Sequence, residues 1–368
     1  MPGVNSLTVS GYKSIRELKN FQLNNLNVLI GANGAGKSNF INLFRLLNEM
    51  YEQQLQLYVQ KQGGPDALLH FGRGTSERLH AEFYFQLTTP APVKFAYHFS
   101  LTPTLDNRLI FESEESLYFG GEHRIHNPSR MLEKGHSESK LKHAKDDYSK
   151  YVRPSVSNWR VYHFHDTSDT AKVKQRHAAN DNLRLKPDAA NLAAYLRMIK
   201  EKHEAQYQRI IETIRLVMPF FDDFVHRPGD PEYVELEWTQ KGKPDTPFKA
   251  HMLSDGSLRF ICLATLLLQP VSLLPDTLLI DEPELGLHPY AIAILVDIFK
   301  QVAEDKQLIV STQSVELVNG LLPEDVIVVD QEDGASTFRR YTEDQLSGWL
   351  TEYSMGEIWK RNILGGRP

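Results

Sequence analysis

Cysteine is nearly absent. The only one among 368 residues is Cys262, set inside an apolar stretch, which excludes a disulfide framework and fits a small buried hydrophobe in a reducing compartment. No Cys-x-x-Cys pair exists to make a zinc hook. No apolar run reaches the roughly 18 residues of a membrane helix, and no N-terminal targeting pattern is visible, so the expected setting is cytoplasmic with no membrane contact. Internal repeats are missing as well. Positive charge is in short supply: 41 Lys and Arg against 47 Asp and Glu leave a net charge of −6. That excludes a protein coated with basic charge, although a local basic groove stays open. A hydrophobic content of 41% suffices for a large core, and one α/β domain of this length is ordinary.

What is present is a phosphate-binding pattern. Residues 31–38, GANGAGKS, match G-x-x-x-x-G-K-[ST]. They follow the apolar run 26–30 and precede a helix-like run from Asn39 that contains Phe40, Ile41, Leu43, Phe44, Leu46 and Leu47. Glycines let the backbone of Asn33, Gly34, Ala35 and Gly36 turn its N–H groups toward phosphates, and the helix start adds its positive dipole end. Lys37 is placed to reach the β- and γ-phosphates, and the Ser38 hydroxyl to ligate Mg²⁺. The pattern implies a nucleotide site for ATP or GTP.

Far downstream, residues 277–280 (TLLI) form a run without polar alternation that ends in Asp281-Glu282-Pro283. Such a strand is buried on both faces, as in a parallel sheet, and open α/β sheets bind ligands at the C-terminal ends of their strands. Asp281 would hold Mg²⁺, directly or through water, and Glu282 would polarise the water that attacks the γ-phosphate. Between the two blocks, residues 253–257 (LSDGS) lead into the apolar helix-like run 258–268, with either Ser254 or Asp255 as its cap and Pro270 as its stop. Residues 290–303 read as a helix, and 308–310 as a strand that ends in Ser311-Thr312-Gln313-Ser314. A further strand is expected at 326–329.

Taken with residues 9–15 (VSGYKSI), 279–289 and the ending 353–368, these blocks resemble the RecF/OLD/SMC-like branch of the ABC-type ATPases. Within that branch the chain resembles the stand-alone bacterial ATPases of phage-defence systems such as PARIS and Septu. The resemblance implies an α/β ATPase head, with a mostly parallel nucleotide-binding sheet, flanking antiparallel strands and a short helical insertion. It also implies ATP and Mg²⁺ as cofactors. Residues 253–257 take the place of the LSGGQ signature, so that Ser254 and Gly256 face a γ-phosphate held by the opposite protomer. Gln313 stands where such proteins usually carry a switch histidine. Either His165 or Asp166, at the end of the strand-like run 159–164, takes the place of the glutamine that contacts Mg²⁺ and the attacking water; His165 is the metal candidate.

The middle of the chain separates the relatives. Residues 81–85, 94–99, 109–111 and 117–119 read as short strands of an antiparallel meander, and 120–150 as a polar, mobile insertion. Residues 188–218 give a helical pair, far too short for SMC-type coiled-coil arms. The expected organisation is a single head over 1–368, with lobe I at 1–119 and 255–368, the polar insertion at 120–150 and a helical and signature lobe at 180–260. Only about 40 residues follow Val329, too few for the Toprim nuclease domain of OLD nucleases. The expected function is therefore an ATPase whose homodimer, or higher homo-oligomer, closes on ATP and gates a separate Toprim- or nuclease-like effector. The alternative is a RecF-like repair ATPase that binds DNA across the closed dimer, so DNA stands as a candidate partner.

Overall fold

The computed structural model describes residues 3–87, 93–119, 129–229 and 231–367. Its central sheet has six strands in the order Ala335–Arg340, Val326–Glu332, Leu26–Ile30, Gln307–Ser311, Thr277–Asp281, Trp159–Tyr162. All neighbours are parallel except the outer hairpin of Val326–Glu332 with Ala335–Arg340. The apolar runs form these strands because both sheet faces are covered. Val28, Ile30, Leu278, Ile280, Leu308 and Val310 enter one core with the helices Leu192–Lys202, Glu204–Val217, Asp255–Leu268 and Pro289–Asp305. Leu29, Leu279, Ile309, Ile327 and Val329, pointing the other way, enter a second core with the helix Lys37–Tyr51 and a second sheet.

That second sheet is antiparallel, in the order Ile15–Gln22, Val4–Tyr12, Leu79–Leu87, Val93–Pro103, Leu109–Phe119, Ser129–Glu133. Here the runs 109–111 and 117–119 are one strand rather than two. The polar residues between them stay extended because Glu114, fully buried, accepts from Tyr97 Oη (2.6 Å), His136 Nε2 (2.8 Å), Ser139 Oγ (2.5 Å) and the Lys140 N–H (2.9 Å). A buried carboxylate so satisfied does not break a strand.

The same bonds change the reading of the stretch 120–150. Residues 120–128 lie outside the described residues. From residue 129 on, the chain is built into the second sheet, and Glu138 accepts from the N–H groups of Leu55 (2.8 Å) and Gln56 (3.0 Å) at the start of the helix Leu55–Lys61. The helical pair expected at 188–218 is present, broken at His203. Among the described residues the longest helix has 17 residues, so no long coiled coil is present, and no helix is long and apolar enough to cross a membrane.

Candidate functional site

Strand order decides what meets. Four adjacent parallel strands, Leu26–Ile30, Gln307–Ser311, Thr277–Asp281 and Trp159–Tyr162, end on one edge of the central sheet. Their tips therefore bring residues 31–37, 311–313, 281–284 and 163–165 side by side.

At the first tip, Gly36 precedes the helix Lys37–Tyr51 with φ of 116°, and a Cβ there would overlap Ser336 Oγ; only glycine fits. The helix has no side-chain cap, so its leading N–H groups are offered to an anion. Asn33, Gly34 and Ser38 are exposed around this cradle, while Ala35 and Gly36 are buried beneath it and Asn39 is half-buried. Lys37 is buried and donates to the carbonyls of Gly31 (2.5 Å) and Ala32 (3.1 Å). Burial lowers its ammonium pKa, opposed by the carboxylates of Glu282, Asp281 and Glu284. A cation held under a glycine cradle and beside three carboxylates fits a triphosphate with its counter-cation. Ser38 and Asp281 are the residues that would hold Mg²⁺ if this cradle takes a nucleotide. Among the described residues no cluster of three or more His, Cys, Asp or Glu is arranged to bind a metal alone.

Asp281 and Glu282 occupy the third tip. Ser311 Oγ donates to Asp281 Oδ1. Glu282 takes φ of 46°, in the left-handed region, where its N–H bonds the Ser311 carbonyl (2.9 Å) and its Oε1 accepts from Gln313 Nε2 (2.6 Å). Strain of this kind is concentrated at functional sites. Gln313 and Glu282, assigned separate parts in the sequence, are directly bonded.

The fourth tip distinguishes two candidates. His165 Nε2 donates to the Asp281 carbonyl (2.8 Å), whereas Asp166 turns back to accept from the Ser168 N–H (3.1 Å) and Oγ (2.7 Å). The His165 contact runs to the peptide of Asp281, not to its carboxylate. His163, two residues earlier, is pushed down to about 4 by burial and by Arg45, so it stays neutral near pH 7.

Ser254 caps the helix Asp255–Leu268, accepting from the Ser257 N–H at 3.2 Å, and both Ser254 and Asp255 are exposed. A Cβ on Gly256 would overlap the Gly286 carbonyl, so the start of this helix rests on the loop after Pro283. Among the described residues, no hydrogen bond joins residues 254–257 to residues 31–39 of the same chain.

Four residues were given no part in the site by the sequence. Ser336 Oγ bonds the Ala35 carbonyl (2.5 Å) and Ser14 Oγ (2.7 Å), and Asn39 Nδ2 bonds Ser14 Oγ (2.8 Å), so the phosphate loop is braced from behind. Arg259 donates to the carbonyls of Phe164 (3.1 Å), His165 (2.9 Å) and Leu285 (2.7 Å), tying the helix Asp255–Leu268 to two strand tips. Glu284 is buried beside Gln313. Ser14 lay within the quoted run 9–15 and Glu284 within 279–289; Ser336 carried no signal at all.

A glycine-rich cradle, an Asp-Glu pair two strands away and a capped helix on the loop that follows meet at one edge of the sheet. The chain belongs to the family described as "AAA domain, putative AbiEii toxin, Type IV TA system", which matches residues 26–319. Solved structures share the fold. An SMC head bound to the C-terminal winged-helix domain of ScpA superposes with a TM-score of 0.60 at 17% identity, covering 94% of this chain and 100% of that one. An Smc head with an extended coiled coil, bound to the C-terminal domain of ScpA and derived from Pyrococcus furiosus, gives 0.57 at 16% identity over 96% and 99%. An Smc head with a coiled coil and joint, derived from Pyrococcus yayanosii, gives 0.54 at 13% over 96% and 99%. No curated protein matches the chain.

Proposed function

We propose that this head binds ATP with Mg²⁺, hydrolyses it slowly, and uses ATP-dependent closure of two copies to gate a separate effector in bacterial anti-phage defence. The observation that carries the ATPase is the row of strand tips. It places Lys37, Asp281, Glu282 and Gln313 on one edge of one sheet, with Gln313 bonded to Glu282. Lys37 and the loop N–H groups hold the phosphates; Ser38 and Asp281 hold Mg²⁺, which neutralises phosphate charge when bound. Glu282 takes the proton of the attacking water, and His165 supports the peptide of Asp281.

The exposed Ser254 on its own helix start, unbonded to the phosphate loop of its chain, supports a site completed by a second copy. A gating role is supported by what the head lacks among its described residues: arms, a hook and a spanning helix. SMC heads bound to ScpA are an example of the same fold engaging a partner chain. Cytoplasmic placement and a nuclease-like neighbour complete the proposal. ATP binding and phosphate release by Lys37→Ala and Glu282→Gln test the chemistry: the first should lose binding, the second should bind and stop turning over. A tagged chain expressed from its native locus tests the gating. A neighbour should copurify, and its toxicity or phage protection should require Lys37 and Glu282. Protection by this chain alone, or DNA cleavage by it alone, defeats the partner model.

A further inference from the structure

Among the described residues Glu284 makes no hydrogen bond to residues 31–38, yet its carboxylate accepts two bonds where those of Asp281 and Glu282 accept one each. It is 9% exposed. Its Oε1 accepts from Thr312 Oγ1 at 2.7 Å and from the Gln313 N–H at 2.8 Å, while Oε2 is buried with no partner among the described residues. Thr312 is itself anchored: its N–H donates to the Leu29 carbonyl (3.0 Å) at the end of the phosphate-loop strand, and its Oγ1 accepts from the Ser314 N–H (3.0 Å). Gln313 is thus gripped twice from the neighbouring tip, its backbone by Glu284 and its side-chain amide by Glu282.

The geometry has a mechanical consequence. Parallel strands Thr277–Asp281 and Gln307–Ser311 pair through Asp281 and Ser311, after which ladder bonding stops. Beyond that ladder, among the described residues, the two loops are tied by the Glu282 N–H to Ser311, the Ser311 hydroxyl to Asp281, the Glu282–Gln313 side-chain bond and the two bonds of Glu284. Remove the Glu284 bonds and Gln313 is free to swing about its backbone. Its amide then ceases to hold one oxygen of Glu282, and the other oxygen loses its fixed aim at the water. A misplacement of about 1 Å at a reacting group costs on the order of 100-fold in rate. Burial raises the Glu284 carboxyl pKa, and the hydrogen bonds from Thr312 and the Gln313 N–H oppose that rise.

We infer that Glu284 is a positioning residue for hydrolysis, fixing Gln313 and through it the water-activating carboxylate of Glu282. The inference rests on the ATPase reading of this site. Glu284 also begins the loop Glu284–Leu287, closed by the Leu287 N–H to Glu284 carbonyl bond (2.9 Å), on which Gly256 and Arg259 of the helix Asp255–Leu268 rest. A shift of that loop is therefore transmitted to Glu282 through two hydrogen-bonded contacts.

The test is steady-state phosphate release by the full-length chain, with affinity for a non-hydrolysable ATP analogue measured alongside. Glu284→Ala should lower kcat on the order of 10- to 100-fold and leave analogue affinity within about twofold. Glu284→Gln, which keeps an acceptor oxygen in place, should recover most of the rate. In a Gln313→Ala background, Glu284→Ala should cost little more, because both changes release the same oxygen of Glu282. Should Glu284→Ala not fold, Glu284→Asp decides in its place: a carboxylate drawn back by one methylene should fold and lose rate at unchanged affinity. Unchanged kcat, an equal loss of affinity, or losses that multiply with Gln313→Ala would overturn the inference. Absence of ATP-dependent phosphate release by the parent chain would instead remove the ATPase reading beneath it, so the two failures are distinct.

Discussion

Gln313 Nε2 lies 2.6 Å from Glu282 Oε1, across the gap between the ends of two adjacent parallel strands. A neutral amide here donates a hydrogen bond but contributes no positive charge to a γ-phosphate. Turnover should accordingly be that of a switch. Phosphate release by the parent protein should stay well below about 100 s⁻¹, and Gln313→Ala should lower it on the order of tenfold or more. Rates at or above that limit would contradict the assignment.

Ser254 sits exposed at a helix start whose dipole favours an anion. Ser254→Arg puts a bulky cation there, so the variant should bind ATP nearly normally and hydrolyse little. Mixed with Lys37→Ala, it should regain activity, since one mixed dimer then holds one intact composite site. Titration of mixing ratios, with subunit exchange verified, reads the result; a flat curve argues against a shared site.

Behind the phosphate loop, Ser336 is buried and holds the Ala35 carbonyl. Ser336→Ala should cost about 1 kcal/mol of stability and weaken ATP binding severalfold. Gly36→Ala should be far worse for ATP, because φ of 116° and the Ser336 hydroxyl both exclude a Cβ. Titration calorimetry with denaturant melts separates loss of the loop from loss of the fold.

Acid should destabilise the head through two half-buried histidines. His163 is pushed down to about 4 by burial and Arg45, and His226 to about 4 by burial and Lys200. Unfolded, both titrate near 6.5. Between those values the unfolded chain holds protons that the native one lacks, so stability present above about pH 6.5 is lost as pH falls toward about 4. Replacing one histidine, His226→Asn, should flatten the slope of unfolding free energy against pH by up to about 1.4 kcal/mol per unit. An unchanged slope would show that His226 is protonated in the native protein.

Much of the central sheet was legible because its strands are short, continuous apolar runs that only burial on both faces explains. Residues 278–280 and 308–310 behave that way, with alternate side chains entering opposite cores. The antiparallel sheet was read less well. Glu112 to Ser116 look like a turn by polarity, and nothing local announces that Glu114 will be satisfied by Tyr97, His136 and Ser139. The hairpin strand Ala335–Arg340 was missed for a similar reason: its register against Val326–Glu332, not its composition, places Ser336 behind the phosphate loop.

Sequence alone determined the local chemistry. Residues 31–38 specify a phosphate loop because its geometry is made by contiguous backbone, and Asp281-Glu282 specify a strand-end carboxylate pair because the apolar run before them must be buried. Tertiary structure alone decided the partnerships. That Gln313 grips Glu282 and that Glu284 holds Gln313 follow from strand order, while the path of the loop after Tyr162 brings His165 rather than Asp166 to Asp281. Those residues are distant in the chain and become neighbours only when parallel strands stack side by side, an ordering set by the covering of both sheet faces.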